Sequence, residues 1–292
     1  MKYFLGLILL SQTVLASNIG ELTSTWNEIV KANIAISGGV DYVSIQKDIQ
    51  KLDNFLGAHK NLTVKGLADN EKKALFINLY NAFMIKSILD YAKDAKITVS
   101  SPDFLKIKVN EIKFRGSNIW NGQNKVNLAG VDLNLDEIEH GLIRGEGKGA
   151  LADLKVSKLD PRIHAAVNCA AISCPRVREK AYLSENIDEM LDSNLREFIN
   201  STSQFQKVGN KLEANSIVLW YYEDFDHFAK DSLKLKGAGD YLIKFLDASR
   251  SDSKWIAQHL TTNFNDRSKF SLRLSSDFSF QYNWQVNDKR NK

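Results

Sequence analysis

Apolar positions recur at helical spacing from residue 18 to residue 58: Leu22, Trp26, Ile29 and Val30, then Ile45, Ile49, Leu52, Phe55 and Leu56. The run Ser37-Gly38-Gly39 interrupts them, so two helices are predicted. The strongest helical pattern follows at 69–93. Asp69 or Asn70 is placed to cap it and Glu71 lies in its first turn. At 100° per residue Ala74, Ile77, Met84, Ile85 and Ile88 share one face. Lys72, Lys73, Lys86, Ser87, Asp90 and Lys93 share the other. Two asparagines break the pattern. Asn81 falls at the centre of the apolar face and Asn78 about 60° away. A buried amide without partners costs about 1–3 kcal/mol, so Asn81 is expected to bond to a loop backbone or to a site residue.

Residues 94–122 read as loop-rich. Alternation then predicts a hairpin, with Val126, Leu128, Val131 and Leu133 inward and a turn at Ala129-Gly130. Asn134 starts a short helix, and Glu137 three positions on completes a capping box. Glu139 projects within its apolar face of Leu135, Ile138, Leu142 and Ile143, whereas His140 lies at the edge in line with Asp136 and Arg144. The GEGKG run at 145–149 lacks the strand before it and the lysine–serine ending of a phosphate-binding loop, and reads as a connection. Residues 163–169 suit a buried strand or a helix begun by Asp160-Pro161; the strand is preferred. Ser184 is expected to cap a helix through Ile199. Residues 217–222 are a strand or a helix start, and 239–247 and 252–261 are helices. The tail alternates at Phe270, Leu272 and Leu274, then Phe278, Phe280, Tyr282, Trp284 and Val286. The predicted fold is helix-rich α+β, one domain over 17–292, with a small, mostly antiparallel sheet and a buried central helix at 69–93.

With 43% hydrophobic and 25% charged residues in 292, the chain has the balance of a globular protein. The net charge of +4 is interspersed. No arginine-rich stripe with aromatic interleaving occurs, so nucleic acid is not an expected partner. Residues 1–16 read as a secretory signal: Lys2, the apolar FLGLILL, then Val14-Leu15-Ala16 before Ser17. The apolar run is shorter than the ~20 residues of a membrane span. The expected location is therefore exported, periplasmic or extracellular, with no transmembrane span.

The scarcest residues converge on Asp160–Pro175, DPRIHAAVNCAAISCP. It holds both cysteines, Cys169 and Cys174, two of three prolines, and His164. His59, His227 and His259 lie apart and read as surface or packing residues, and Trp120, beside Asn121-Gly122, is a candidate cleft residue.

Several segments in register, FINLYNAFMI, LAGVDLNLDEIEHGLIR, DPRIHAAVNCAAISCPRVREKAY, WYYEDF and FQYNWQVND, make residues 40–288 resemble the family called domain of unknown function 547. The matching positions are Asn78, Tyr80, Asn81, Glu139, His140, Arg144, Asp160, Pro161, Arg162, His164, Asn168, Cys169, Ser173, Cys174, Pro175 and Trp284. Ala171, Phe76 and Asn283 depart from the pattern, so an acidic role at 283 is not expected. The resemblance implies no settled activity or cofactor.

Three readings of the cluster stand open. In the first, Cys174 or Cys169 is the nucleophile of a thiol hydrolase or acyltransferase acting on a small-molecule, peptide or envelope substrate. His140 or His164 is then the base, oriented by Glu139, Asp160 or Asn168, and Asn81 is an oxyanion donor. Cys174, before Pro175 at a loop end, is expected to be the reachable thiol. In the second, Cys169 and Cys174 form a local disulfide, contributing roughly 2 kcal/mol, in a binding or scaffold module. In the third, Cys169, Cys174, His140 and His164 hold zinc. No other cofactor is expected.

Overall fold

The computed structural model describes residues 19–114, 116–266, 268 and 278–292. The signal expected at 1–16, and Phe270, Leu272 and Leu274 of the tail, lie outside the described residues. The order opens with α1 (19–33), α2 (Tyr42–Lys47), α3 (Ile49–Ala58) and α4 (Asp69–Asp94). After α5 (Pro102–Leu105) come two small hairpins, β1 (Lys113–Phe114) with β2 (Ser117–Asn118) and β3 (Val126–Leu128) with β4 (Val131–Leu133). A π-helix (Glu137–Ile143) and a 3₁₀ helix (Pro161–Ala165) follow, then α6 (Ile187–Asn200), β5 (Phe205–Val208) and β6 (Lys211–Asn215). The rest is α7 (Ile217–Trp220), α8 (Tyr222–His227), α9 (Ala238–Ile243), α10 (Ser253–Phe264) and β7 (Phe278–Gln281). This is a helix-rich α+β fold with α4 at its centre.

Local chemistry explains several of these elements. At the β3–β4 turn Ala129 and Gly130 both have positive φ, 52° and 83°. Such a turn matches the twist of the strands it joins. Asn134 and Glu137 exchange backbone N–H bonds at 2.8 Å in both directions, the expected capping box. The third sheet has the order β5-β6-β7, antiparallel between β5 and β6 but parallel between β6 and β7.

Three expectations change. Every residue of α4 from Lys73 to Ile85 is buried, so the helix is enclosed rather than two-faced. Lys73 tolerates this because its Nζ lies 3.3 Å from the Asp160 carboxylate. Asp69 does not cap α4: it accepts Ser157 N–H instead, and Glu71 accepts the N–H of Ala68. Residues 161–165 form the 3₁₀ helix in place of a strand. Asp160 Oδ1 accepts the N–H of Arg162, and the fixed φ of Pro161 favours a helical first turn.

Side chains bury into two hydrophobic clusters. One surrounds α1–α4 and the π-helix; the other holds β5, β6 and α7–α10, with β7 packed against it. Helix α6 enters both, through Ile187 and Leu191, then Leu195, Phe198 and Ile199. The last segment crosses the first cluster as a strap. Trp284 O accepts from Val109 N, Val286 N donates to Ile107 O, Gln285 O accepts from Ile172 N, and Asn287 O accepts from Val40 N.

The buried amides fix this arrangement. Asn78 exchanges two bonds with the backbone of Tyr182, both 2.9 Å. Asn81, one turn on, donates to Ala166 O at 3.0 Å and accepts from Asn168 N at 2.8 Å. The side chain of Asn168 donates to Pro175 O and accepts from Ala170 N and Asn287 Nδ2, while Asn287 Oδ1 accepts from Tyr42 Oη. Replacing Asn81 with leucine strands one carbonyl and one N–H in the core. The expected loss is about 2–3 kcal/mol in denaturant titration, with amide exchange accelerated across 166–176. Unchanged exchange there would contradict the clamp.

Candidate functional site

A cleft of about 190 Å³ opens where the two clusters meet. That is below the ~300–1,000 Å³ typical of drug-sized ligand sites, so it suits a small group. Its floor and walls come from every major segment: Tyr80 on α4, Asp136, Glu139 and His140 around the π-helix, and His164, Val167, Cys169 and Cys174 from the 160–175 stretch. Ile217, Trp220 and Tyr221 come from α7 and its end, Tyr282 and Trp284 from the strap, and Trp120 from the loop after β2.

The π-helix places Glu139 inward. Such local widening recurs at functional sites, and here the chain beyond it folds back closely. Gly147 N donates to Gly141 O, and a Cβ at Gly147 would stand 2.7 Å from that oxygen. Glu139 is buried and accepts a short hydrogen bond from Tyr221 Oη and another from the buried Tyr80. Burial, and then the Glu139 charge, drive both phenols well above their usual range, so both remain donors.

His164 is stacked on Tyr221 at 3.6 Å between ring centres, and its Nε2 lies 2.7 Å from Asp224 Oδ2. Asp224 also takes a two-pronged contact from Arg144, at 2.7 Å from Nε and 2.8 Å from Nη2. Burial alone raises a carboxyl; here the hydrogen bonds from His164 and Arg144 outweigh it and hold Asp224 well below the carboxylate range. Burial lowers His164 below its usual value, partly offset by Asp224. The neutral ring donates from Nε2, which leaves Nδ1 with a lone pair. Nδ1 is buried and has no hydrogen-bond partner. His140 differs: it is partly exposed, 2.7 Å from Arg144 Nη1 through Nδ1 and 3.9 Å from Asp136 through Nε2.

Cys169 and Cys174 are joined in a disulfide, and among the described residues no cysteine is free. Neither sulfur carries a hydrogen, so Tyr282 Oη donates to both, at 2.8 and 2.9 Å. The N–H of Cys169 points at Cys174 Sγ, 2.9 Å away. The expected exposure is reversed. Cys174 is 2% exposed beneath the strap, whereas Cys169 is only partly buried. Among the described residues no group of three or more His, Cys, Asp or Glu side chains is placed to hold a metal ion.

Of the residues singled out in the sequence, Cys169, Cys174, His140, His164, Glu139, Tyr80, Trp120 and Trp284 reach the cleft. Arg144 stands behind it. Asn78, Asn81 and Asn168 hold backbone, and Ser173 Oγ accepts the N–H of Asn283. Asp160 and Arg162 form a separate ion-pair group with Asp188 and Asp192 on α6. The carboxylate that orients His164 is Asp224, not Glu139, Asp160 or Asn168. Asp224 and Tyr221 both sit in WYYEDF, which carried the resemblance but offered no chemical signal of its own.

Fold and site together define a helix-rich α+β protein with an aromatic cleft built over a Cys–Cys pair and a carboxylate-bound histidine. Over residues 64–199 the chain matches the family described as "Protein of unknown function, DUF547". Searches of curated proteins and of solved structures found no match.

Two outcomes follow for the histidine. In nitrogen-detected NMR the His164 ring is expected to be neutral at pH 6 with its proton on Nε2. An unfolded histidine takes a proton near pH 6.5 and the folded ring resists it. Its contribution to stability is therefore complete above about pH 6.5 and is lost progressively below. Asp224→Asn removes the buried counter-charge of Arg144, and thermal unfolding is expected to register a loss of about 3 kcal/mol. A ring already protonated at pH 6, or an Asp224→Asn variant as stable as the parent, would refute the assigned roles.

Proposed function

We propose that the cleft is a thiol-dependent acyl-transfer site, a hydrolase or acyltransferase whose nucleophile is released when the Cys169–Cys174 disulfide is reduced. The observation that supports it most is the His164–Asp224 pair. A carboxylate fixes the ring through Nε2 and leaves Nδ1 unpaired, and His164 lines the same cavity as both cysteines. Nucleophile, base and orienting group are the set that cysteine acyl transfer requires.

The reductant is a dithiol: its two thiols are oxidised to a disulfide as the two protein sulfurs become thiols. Cys169, the more exposed sulfur, then attacks. Its proton passes to His164 Nδ1 and an S–C bond forms to the acyl carbon of an ester or amide. The C–O or C–N bond breaks as the imidazolium returns that proton to the leaving group. Water, or an acceptor nucleophile, next forms its bond to the acyl carbon, and the S–C bond breaks to regenerate the thiol. Tyr282 Oη, 2.8 Å from Cys169 Sγ, supplies a donor that favours the thiolate. In the exported setting expected from residues 1–16 the pair rests oxidised, so a dithiol carrier there switches the site on.

A second reading rests on the disulfide itself. With both sulfurs joined, the same cleft acts as a binding module and performs no chemistry. The two readings part on Cys174→Ala, which leaves Cys169 unable to form the disulfide. On p-nitrophenyl acetate this variant is expected to give a nitrophenol burst stoichiometric with protein and without reductant. The parent needs dithiothreitol, Cys169→Ala gives no burst, and His164→Ala slows acylation about 100-fold. No burst from either the reduced parent or Cys174→Ala would end the thiol reading in favour of the binding module.

A further inference from the structure

Six of the residues that line the cleft are tryptophan or tyrosine. Trp220 stacks on Trp284 at 5.4 Å and 25°, Trp120 meets Trp284 edge-on at 5.8 Å, and Tyr282 lies 4.7 Å from Trp220 and 4.4 Å from Trp284. These rings come from three separate parts of the chain. Trp220 is 47% exposed, although it stands beside a hydrophobic cluster able to cover it.

The lining also carries carboxylates. Among the cleft-lining residues Asp136 and Glu139 are the carboxylates, and no lysine or arginine is present. The nearest guanidinium, Arg144, is already committed to Asp224 and Glu146. An incoming cation therefore meets indole and phenol rings and two carboxylates: Glu139, which takes a hydrogen bond from the uncharged Tyr221 phenol, and Asp136, with the His140 ring 3.9 Å away. Ring faces attract cations through their quadrupole, indole most strongly. An anion would meet two carboxylates, and a neutral apolar group would leave them without a counter-charge.

We infer that the group bound in this cleft is an alkylammonium cation, held between the Trp120–Trp220–Trp284 wall and the Asp136 and Glu139 carboxylates. The volume of about 190 Å³ accepts a small head of that kind. Where the cleft transfers acyl groups, as proposed above, this inference rests on that reading and assigns the substrate: an ester or amide with an ammonium centre close to the acyl carbon. Binding itself requires no thiol.

The test is calorimetric titration of the oxidised, full-length protein with choline and with its neutral isostere 3,3-dimethylbutan-1-ol. Choline is expected to bind at least about tenfold more tightly than the alcohol, a margin of about 1.4 kcal/mol, and to weaken as salt rises. Glu139→Gln should reduce choline affinity several-fold. Trp220→Leu alters only a half-exposed ring, so it keeps the test valid if the buried substitution unfolds, and it should weaken choline as well. Equal binding of choline and the alcohol would overturn the cation. So would no saturable choline binding, or choline affinity unchanged in Trp220→Leu. Because the disulfide stays closed throughout, choline binding without any acyl burst would sink only the thiol chemistry. A burst without choline binding would sink only the cation.

Discussion

The structure depends on a requirement that no amide be left unpaired in the core. Helix α4 passes through the centre of the first cluster and is enclosed on every side. Asn78 and Asn81 are its buried amides, and each behaves like a piece of backbone, offering one donor and one acceptor to a neighbouring loop. From Asn81 the chain of bonds continues through Asn168 to Asn287 and Tyr42. Four distant segments are thereby fixed against one another: α4, the cysteine loop, the strap and α2. Loss of any member leaves its partners desolvated and unbonded, so the network holds or fails together. The disulfide closes a loop whose shape these amides already impose.

The cleft follows from that scaffold. The amides hold the 166–175 backbone, which presents Cys169 and Cys174 beneath Tyr282, and the 3₁₀ turn just before it presents His164. The second cluster contributes Asp224 and Tyr221. One carboxylate thus receives Arg144 from the first cluster and His164 from between the two, tying the halves at the site itself. Neighbouring phenols donate to Glu139 on one side and to the sulfurs on the other. The result is a cavity whose lining carries one buried ring nitrogen without a hydrogen-bond partner, His164 Nδ1.

Features set by short-range chemistry were readable in the sequence: the β3–β4 hairpin, the Asn134–Glu137 capping box, the span of α4 and the inward turn of Glu139. Asn81 was readable as a buried amide because its position contradicted the helix pattern around it. What escaped depended on distant partners. Lys73 looked like a surface residue because nothing nearby in sequence announces Asp160. Nothing near Asp224 in sequence marks its role, since Arg144 and His164 stand 80 and 60 residues before it. Residues 163–169 had the composition of a strand or a helix. The Asp160 cap and Pro161 decided for the 3₁₀ turn. Cys174 looked accessible at a loop end, and the strap that covers it arrives more than a hundred residues later.

That lateness has a kinetic meaning. Val40 pairs with residues 287–289, and Lys108 with Gln285, across most of the chain. Such closures are slow, because the entropy of a long loop is lost before any contact compensates for it. During synthesis the helices around α4 emerge first, but Tyr282 and Trp284 leave the ribosome after nearly everything they cover. The nascent chain therefore carries two neighbouring thiols with no roof above them. The two sulfurs can meet on that half-built surface before the cleft above them is complete, so the order of the chain determines which is finished first.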